Sequence, residues 1–154
     1  MSPSCRALLF SIALAAGSLA ADAGAANRRY LEHSVPPGSP TLPFSDGLLT
    51  GDTLYVSGHL GLDPNSGNAP AEPPAEARLV MEAVKRTVES AGLGMDDLVS
   101  VTVYCTDLQL YDTFNAVYRT YFHAHYPTRA FIGANKLLRG AHFEVQGIAV
   151  RPAP

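Results

Sequence analysis

The chain has 154 residues, of which 47% are hydrophobic and 16% charged, and its formal net charge at pH 7 is −3. This length suits one ordinary domain, and the composition excludes a disordered chain. The mildly acidic balance argues against the basic surface with which proteins neutralise nucleic-acid phosphates, so we expect no nucleic-acid partner.

Residues 1–26 are predicted to be a signal peptide rather than part of the fold. Arg6 gives a positive start, residues 7–16 form an apolar run, and small residues in 18–25 offer A-x-A-type cleavage sites. The run is too short to span a bilayer comfortably. It therefore predicts export to the periplasm or the medium, with no membrane association after the leader is removed. The alternative interpretation is an Ala-rich disordered tail.

The next segments predict irregular chain followed by a hairpin. Residues 27–43 contain four prolines and few apolar residues, which is typical of an extended lead-in. Two short β-rich runs, 48–49 and 53–57, flank a Gly-containing turn and predict a hairpin. The segment 63–74 is rich in Pro, Gly, Asn and Ala, and it predicts a long loop.

Two amphipathic helices are predicted. The first has apolar residues at helical spacing over residues 77–91 and should end at Gly92. The second should be capped by Asp107. It should end at Tyr126, because the following Pro127 disfavours helical geometry at that residue.

Alternating or apolar patterns predict three further strands: residues 99–106, the stretch that begins near Arg129, and residues 143–150. Cys105 lies in the first of them and is expected to be a packed small residue, and loss of the leader would leave it without a disulfide partner. The order β-β-α-β-α-β-β describes an α+β sandwich with one sheet and two helices on one face. The last strand is apolar on both faces toward its end, so we expect a partner subunit on the uncovered face.

Arg129 and Glu144 are the candidates for chemistry. Arg129 begins a strand and has no acidic neighbour in sequence, and Glu144 lies in the last strand. On the pattern alone, the simpler interpretation is an exposed arginine at a strand start and a solvent-facing glutamate. The pair His123 and His125 could touch a metal, but without a third ligand beside it a polar helix end is favoured. We therefore predict no metal site and no cofactor.

Five blocks of the sequence carry a family resemblance: residues 54–64 (LYVSGHLGLDP), 101–108 (VTVYCTDL), 114–118 (FNAVY), 127–130 (PTRA) and 143–149 (FEVQGIA). In order and spacing these blocks resemble the Rid family, the reactive intermediate deaminases that are also called YjgF or L-PSP-like proteins. The resemblance covers about residues 43–151, which indicates a Rid-like domain at 44–152. It implies a chorismate-mutase-like α+β fold. It also implies a homotrimer whose sheets pack into a central barrel, with three clefts between the subunits.

The resemblance also implies roles for individual residues. Arg129 would bind the carboxylate of an imino or keto acid, because a guanidinium can hold a carboxylate through two parallel hydrogen bonds. Glu144 would position or activate the attacking water. Ser57 and Gly58 would lie at the wall of the cleft.

Two positions of the implied site depart from the family pattern. Phe44 stands where many of the deaminases carry tyrosine, so a hydroxyl contact would be missing. Phe131 stands where several members have cysteine, and its ring would reshape or narrow the pocket. Both are expected to contact substrate.

The implied activity is the hydrolytic deamination of reactive 2-imino or enamine acids to 2-keto acids and ammonia. The partner would be a small-molecule carboxylate. One alternative is a non-catalytic periplasmic protein that binds small carboxylates through the same arginine. Another is an endoribonuclease, a label that the family also carries. The acidic balance and the predicted export argue against this last activity.

Overall fold

The computed structural model describes residues 27–32 and 42–153, so the predicted signal peptide lies outside the described residues. The described residues form six β-strands and two α-helices. The strands are β1 (Arg28–Leu31), β2 (Gly47–Thr50), β3 (Thr53–Leu60), β4 (Leu98–Cys105), β5 (Thr128–Gly133) and β6 (Phe143–Val150). The helices are α1 (Pro73–Ser90) and α2 (Tyr111–Tyr118).

The strands form one mixed sheet in the order β1-β2-β3-β6-β4-β5. All neighbours are antiparallel except β4 and β5, which are parallel and are joined through α2, as a parallel pair requires. Helix α1 packs against β3, β6 and α2 on one face of the sheet. The α+β class with both helices on one face is therefore confirmed. None of the helices in the described part of the chain is long and apolar enough to cross a membrane.

Strand β1 was not predicted, because it lies inside the segment that we expected to be an extended lead-in. Arg28–Leu31 pairs antiparallel with β2 at the edge of the sheet. Only Leu31 of the four residues is buried. An edge strand with one buried side chain lacks the apolar alternation by which a strand is recognised in a sequence.

Both helix boundaries differ from the predicted ones. Helix α1 begins at Pro73, inside the predicted loop, because its first positions need no backbone N–H donor and tolerate proline. The second helix ends at Tyr121, well before Pro127, and only its middle part is α-helical. The carboxylate of Asp96 accepts the backbone N–H of His123 at 2.9 Å, which stabilises the extended chain beyond the helix.

The core between the helices and the sheet contains a cluster of aromatic rings. Phe114 from α2 and Phe143 from β6 are fully buried, with ring centroids 4.9 Å apart. Phe131 of β5 packs edge-on against Phe114 at 5.7 Å. Cys105 is buried, donates its S–H to the Asp107 carbonyl at 3.0 Å, and has a pKa raised by burial. This environment agrees with its predicted packing role.

No helix of the described residues covers the opposite face of the sheet. Side chains alternate along a strand, so the neighbours of buried positions point to this outer face. Tyr55 and Ile148 lie opposite each other there, on β3 and β6. Tyr55 is 49% exposed and Ile132 of β5 is 42% exposed. The outer face therefore carries exposed apolar side chains, as expected from the sequence, next to polar ones such as Gln146, whose amide donates to the Tyr104 hydroxyl at 3.3 Å.

Glu76 joins the start of α1 to the start of β6. Its carboxylate is fully buried and accepts the backbone N–H groups of His142 and Phe143 at 2.6 and 2.8 Å. The Nδ1 atom of His142 lies 2.7 Å from the second carboxylate oxygen. These contacts fix the backbone immediately before Glu144.

Replacing Glu76 by alanine should lower the free energy of unfolding by about 3 kcal/mol, because two backbone donors lose their acceptor. Urea unfolding followed by circular dichroism at fixed protein concentration measures this. Glu89→Ala is the matched control, since Glu89 is exposed on the same helix and makes one 3.9 Å ion pair with Lys85. Its effect should stay below about 1 kcal/mol. Equal unfolding midpoints for the two variants would contradict the anchoring role of Glu76.

Candidate active site

Arg129 is held by aromatic rings on the helix side of the sheet. It pairs in register with buried Val101. Its guanidinium carbon lies 4.6 Å from the ring centroid of Tyr118, and 5.7 Å from those of Tyr111 and Phe131. One of its nitrogens donates to the Tyr111 hydroxyl at 3.4 Å. Arg129 is thus half-buried in an aromatic cradle, and the interpretation of an exposed strand-start arginine is wrong.

Within the part of the chain that the structure describes, no carboxylate compensates the charge of Arg129. The ion pairs within residues 27–32 and 42–153 do not include it. Cation–π contacts act on the face of a guanidinium and leave its N–H groups available. Because those N–H groups match the two oxygens of a carboxylate, Arg129 is suited to bind a small anion from outside the chain.

An open pocket of about 380 Å³ surrounds this guanidinium. The pocket is lined by one amide side chain, two tyrosines, two arginines and a proline: Asn115, Tyr118, Tyr126, Arg119, Arg129 and Pro127. A groove of about 410 Å³ between α1 and α2 is slightly larger, but neither Arg129 nor Glu144 lines it. We place the site at the smaller pocket because only that pocket presents the uncompensated guanidinium.

Tyr118 forms the floor below the guanidinium, and sequence reasoning missed this role. The side chain is 5% exposed, and burial raises the pKa of its phenol to about 12, although Arg129 acts in the opposite direction. Tyr118 therefore stays neutral at physiological pH. Its hydroxyl has no hydrogen-bond partner in the described part of the chain. In the sequence Tyr118 belongs to the apolar stripe of a helix, which favoured a pure core role.

Glu144 lies on the opposite face of the sheet. Its neighbours Phe143 and Val145 are fully buried on the helix side, so Glu144 points to the outer face, where it is half-buried. The carboxylate lies against Gly58, where a Cβ atom would overlap the Glu144 Oε1 atom. Glycine at position 58 is therefore required for this placement of the carboxylate. The contact also shows that Glu144 is not simply a solvent-facing residue.

Ser57 directly precedes Gly58 in the chain and is linked by hydrogen bonds to the segment that carries Phe44. Ser57 donates its hydroxyl to the Ser45 carbonyl at 2.7 Å, and its backbone N–H bonds to the Asp46 carbonyl at 3.0 Å. Ser57 therefore holds the segment that carries Phe44. Phe44 itself is 53% exposed.

The predicted site residues form two groups that one chain does not bring together. Arg129 and Phe131 face the helices at the β5 edge, and we call this group with Tyr118 the arginine half-site. Glu144, Gly58 and Ser57 form the glutamate half-site.

Strand pairing shows how the two half-sites are separated. Arg129 lies opposite Val101 of β4, and Glu144 lies opposite Tyr104 of the same strand. These partners are on opposite faces of β4, and the full thickness of the sheet lies between them. One small ligand therefore cannot contact Arg129 and Glu144 of the same chain.

In the histidine pair, His123 contacts a carboxylate, that of Asp96. The Nδ1 atom of His123 lies 3.4 Å from the carboxylate of Asp96, and its side chain is largely exposed. Among the described residues, no three His, Cys, Asp or Glu side chains come together as metal ligands would.

Fold and site together define a small α+β protein with a half-buried arginine in an open pocket at the sheet edge. Comparison with known proteins agrees with this class and specifies it. Residues 36–151 match the profile of the family described as Endoribonuclease L-PSP. The chain belongs to this family, which confirms the resemblance to YjgF and Rid proteins.

Relatives and solved structures lead to the same family. The chain is 35% identical over 112 residues to the 2-iminobutanoate/2-iminopropanoate deaminase of Escherichia coli, covering 71% of this chain and 88% of the relative. It is 30% identical over 125 residues to the human protein of that name, covering 80% and 90%. The crystal structure of E. coli TdcF with bound serine superposes with a TM-score of 0.69 at 32% identity, covering 80% of this chain and 94% of TdcF.

Proposed function

We propose that this protein hydrolyses reactive 2-imino or enamine acids to 2-keto acids and ammonia. The observation that carries the proposal is the half-buried Arg129 guanidinium, which aromatic rings hold in an open pocket and which has no carboxylate partner among the described residues. The names of relatives at 30–35% identity support it, since two of them are 2-iminobutanoate/2-iminopropanoate deaminases. TdcF with bound serine supports a small carboxylate as the ligand.

The chemistry needs few groups. The carboxylate of the imino acid binds Arg129, which fixes the adjacent C2 atom in position. Water adds to C2, a proton moves to nitrogen, and the C–N bond breaks to give a keto acid and ammonia. Glu144 orients the water and accepts its proton. The neutral aromatic floor excludes bulk water from one side of the substrate, which strengthens the guanidinium–carboxylate interaction.

We further propose that each complete site forms between two copies of the chain. Arg129 and Glu144 lie on opposite faces of one sheet, so a second copy must supply the missing half-site. The exposed apolar outer face, with Tyr55, Ile148 and Ile132, offers a surface for that contact. The family resemblance favours a trimer, in which three equivalent sites would form by rotation.

Light scattering on the purified protein tests this assembly. The expected mass is three times that of the mature chain at micromolar concentration. Ile132→Glu should shift the mass toward that of the monomer, because it places a charge on the outer face. Arg86→Glu is the control and should leave the mass unchanged, because Arg86 is an exposed residue of α1, on the other face of the sheet. A monomeric parent would contradict shared sites.

The activity itself is tested with imines generated in solution by an amino-acid oxidase. Purified mature protein should accelerate the release of ammonia and keto acid above the rate in buffer. If the protein binds keto acids through Arg129 but does not accelerate the release of ammonia, a non-catalytic carboxylate-binding protein is favoured instead. The structure of one chain is compatible with that alternative, because Arg129 and Glu144 are separated in it. Cleavage of a mixed RNA substrate by the same preparation would favour the endoribonuclease.

We also propose that the protein is exported and acts in the periplasm or the medium. The support is the order of Arg6, an apolar run and small residues before position 27. Protein recovered from its native host should therefore have an intact mass that corresponds to cleavage near residue 26. A mass that includes Met1 or Ser2 would contradict export.

A further inference from the structure

A second arginine lines the same pocket as Arg129. Arg119 follows α2, and its Nε atom donates to the Asn115 carbonyl at 3.0 Å. This bond fixes the base of the guanidinium and leaves its two terminal NH₂ groups without partners in the described part of the chain. Arg119 is exposed and takes part in none of the ion pairs there.

The lining of the pocket therefore has two cations and no anion. Its other members are an amide, two phenols and a proline. A substrate with one carboxylate neutralises Arg129 and leaves the charge of Arg119 uncompensated. A substrate with two carboxylates neutralises both charges, and electrostatic complementarity of this kind is a common source of specificity.

We propose that Arg119 is a specificity-determining residue that binds a second carboxylate of the substrate. This inference rests on the proposed function and deepens it, because it assigns the substrate class as dicarboxylic 2-imino acids. The carboxylate next to the imine carbon binds half-buried Arg129, close to the reacting atoms. The distal carboxylate binds exposed Arg119 at the rim of the pocket.

The test compares two substrates that differ by one carboxylate. Imines of glutamate and of norvaline have the same five-carbon chain, and both form in solution with amino-acid oxidases. The parent should prefer the dicarboxylic imine by about tenfold in kcat/KM, the worth of one charged hydrogen-bonded contact at an exposed position. In Arg119→Gln this ratio should fall to about one, and Arg119→Lys should retain part of the preference.

Arg86→Gln is the matched control. It removes the same charge from an exposed position of α1 that does not line the pocket, so it should keep the preference of the parent. A parent that prefers the norvaline imine, or an Arg119→Gln variant that keeps the tenfold ratio, would overturn the inference. Loss of the ratio in Arg86→Gln would also overturn it, because net charge alone would then explain the preference.

Binding of the product keto acids separates this inference from the proposed activity. Calorimetry with 2-oxoglutarate and 2-oxopentanoate requires no turnover. If no imine is hydrolysed, the deaminase proposal fails. In that case tighter binding of 2-oxoglutarate that depends on Arg119 still supports the second carboxylate site, and equal binding of the two acids overturns it.

Discussion

Replacing Arg129 by alanine is expected to abolish ligand binding and turnover while the protein remains folded. The guanidinium supplies the charged, two-pronged contact to the substrate carboxylate, and each such hydrogen bond contributes about 1.5–3 kcal/mol. Loss of two bonds should lower kcat/KM by about two to four orders of magnitude. Arg129→Lys keeps the charge but loses the planar fork, so it should lower kcat/KM by an intermediate factor.

The fold should tolerate the loss of Arg129, because its side chain packs at the sheet edge and forms no ion pair in the described part of the chain. Cation–π contacts of this kind contribute about 1 kcal/mol. Circular dichroism should therefore show a folded variant with a slightly lower melting temperature. Arg86→Ala is the control for removal of a positive charge outside the pocket. Parent-like turnover in Arg129→Ala would contradict the proposed role of Arg129 as the group that binds the substrate carboxylate.

Much of the fold could be predicted because the elements that pack against one another carry strong periodicity. Strand β6 was predicted with its observed bounds, Phe143–Val150, because its buried positions Phe143, Val145 and Ala149 carry apolar residues at strand spacing. Strand β1 has one buried residue and gave no such signal. The chain beyond the second helix is fixed by a hydrogen bond from the His123 N–H to Asp96, a residue distant in sequence, and this contact has no local pattern.

The site was harder to predict, because a sequence does not show which face of a sheet a strand residue occupies. The family resemblance named Arg129 and Glu144 together, and nothing in the sequence places them on opposite faces. That separation follows from strand register, which brings Arg129 opposite Val101 and Glu144 opposite Tyr104. The contact between Tyr118 and Arg129 could not be predicted for a related reason. Tyr118 occupies a core position of a helix, and its ring packs in the core and also forms the floor of the pocket.

Replacing Glu144 by glutamine should lower kcat by about two orders of magnitude and leave carboxylate affinity nearly unchanged. Glutamine keeps the shape and the hydrogen bonding of the side chain beside Gly58, but it cannot accept a proton from water. Steady-state kinetics on a generated imine and calorimetry with a keto acid measure the two effects separately. Glu89→Gln is the control, because it makes the same chemical change at an exposed residue of α1. A Glu144→Gln variant with the kcat of the parent would mean that the attacking water needs no carboxylate base.

Mixing the two impaired variants tests where each half-site comes from. In a three-copy ring with shared sites, Arg129→Ala still supplies Glu144 to one neighbour, and Glu144→Gln still supplies Arg129 to the other. Random co-assembly of equal amounts should therefore restore both native groups in about a quarter of the sites. Purification through two different tags keeps only mixed rings, each of which has one native site in three, so the co-expressed variants should regain about a third of the parent activity. Separately purified variants combined without exchange should not. If the co-assembled protein is no more active than the separate variants, Arg129 and Glu144 do not act across a shared interface, because only a site built from two chains can be restored by mixing.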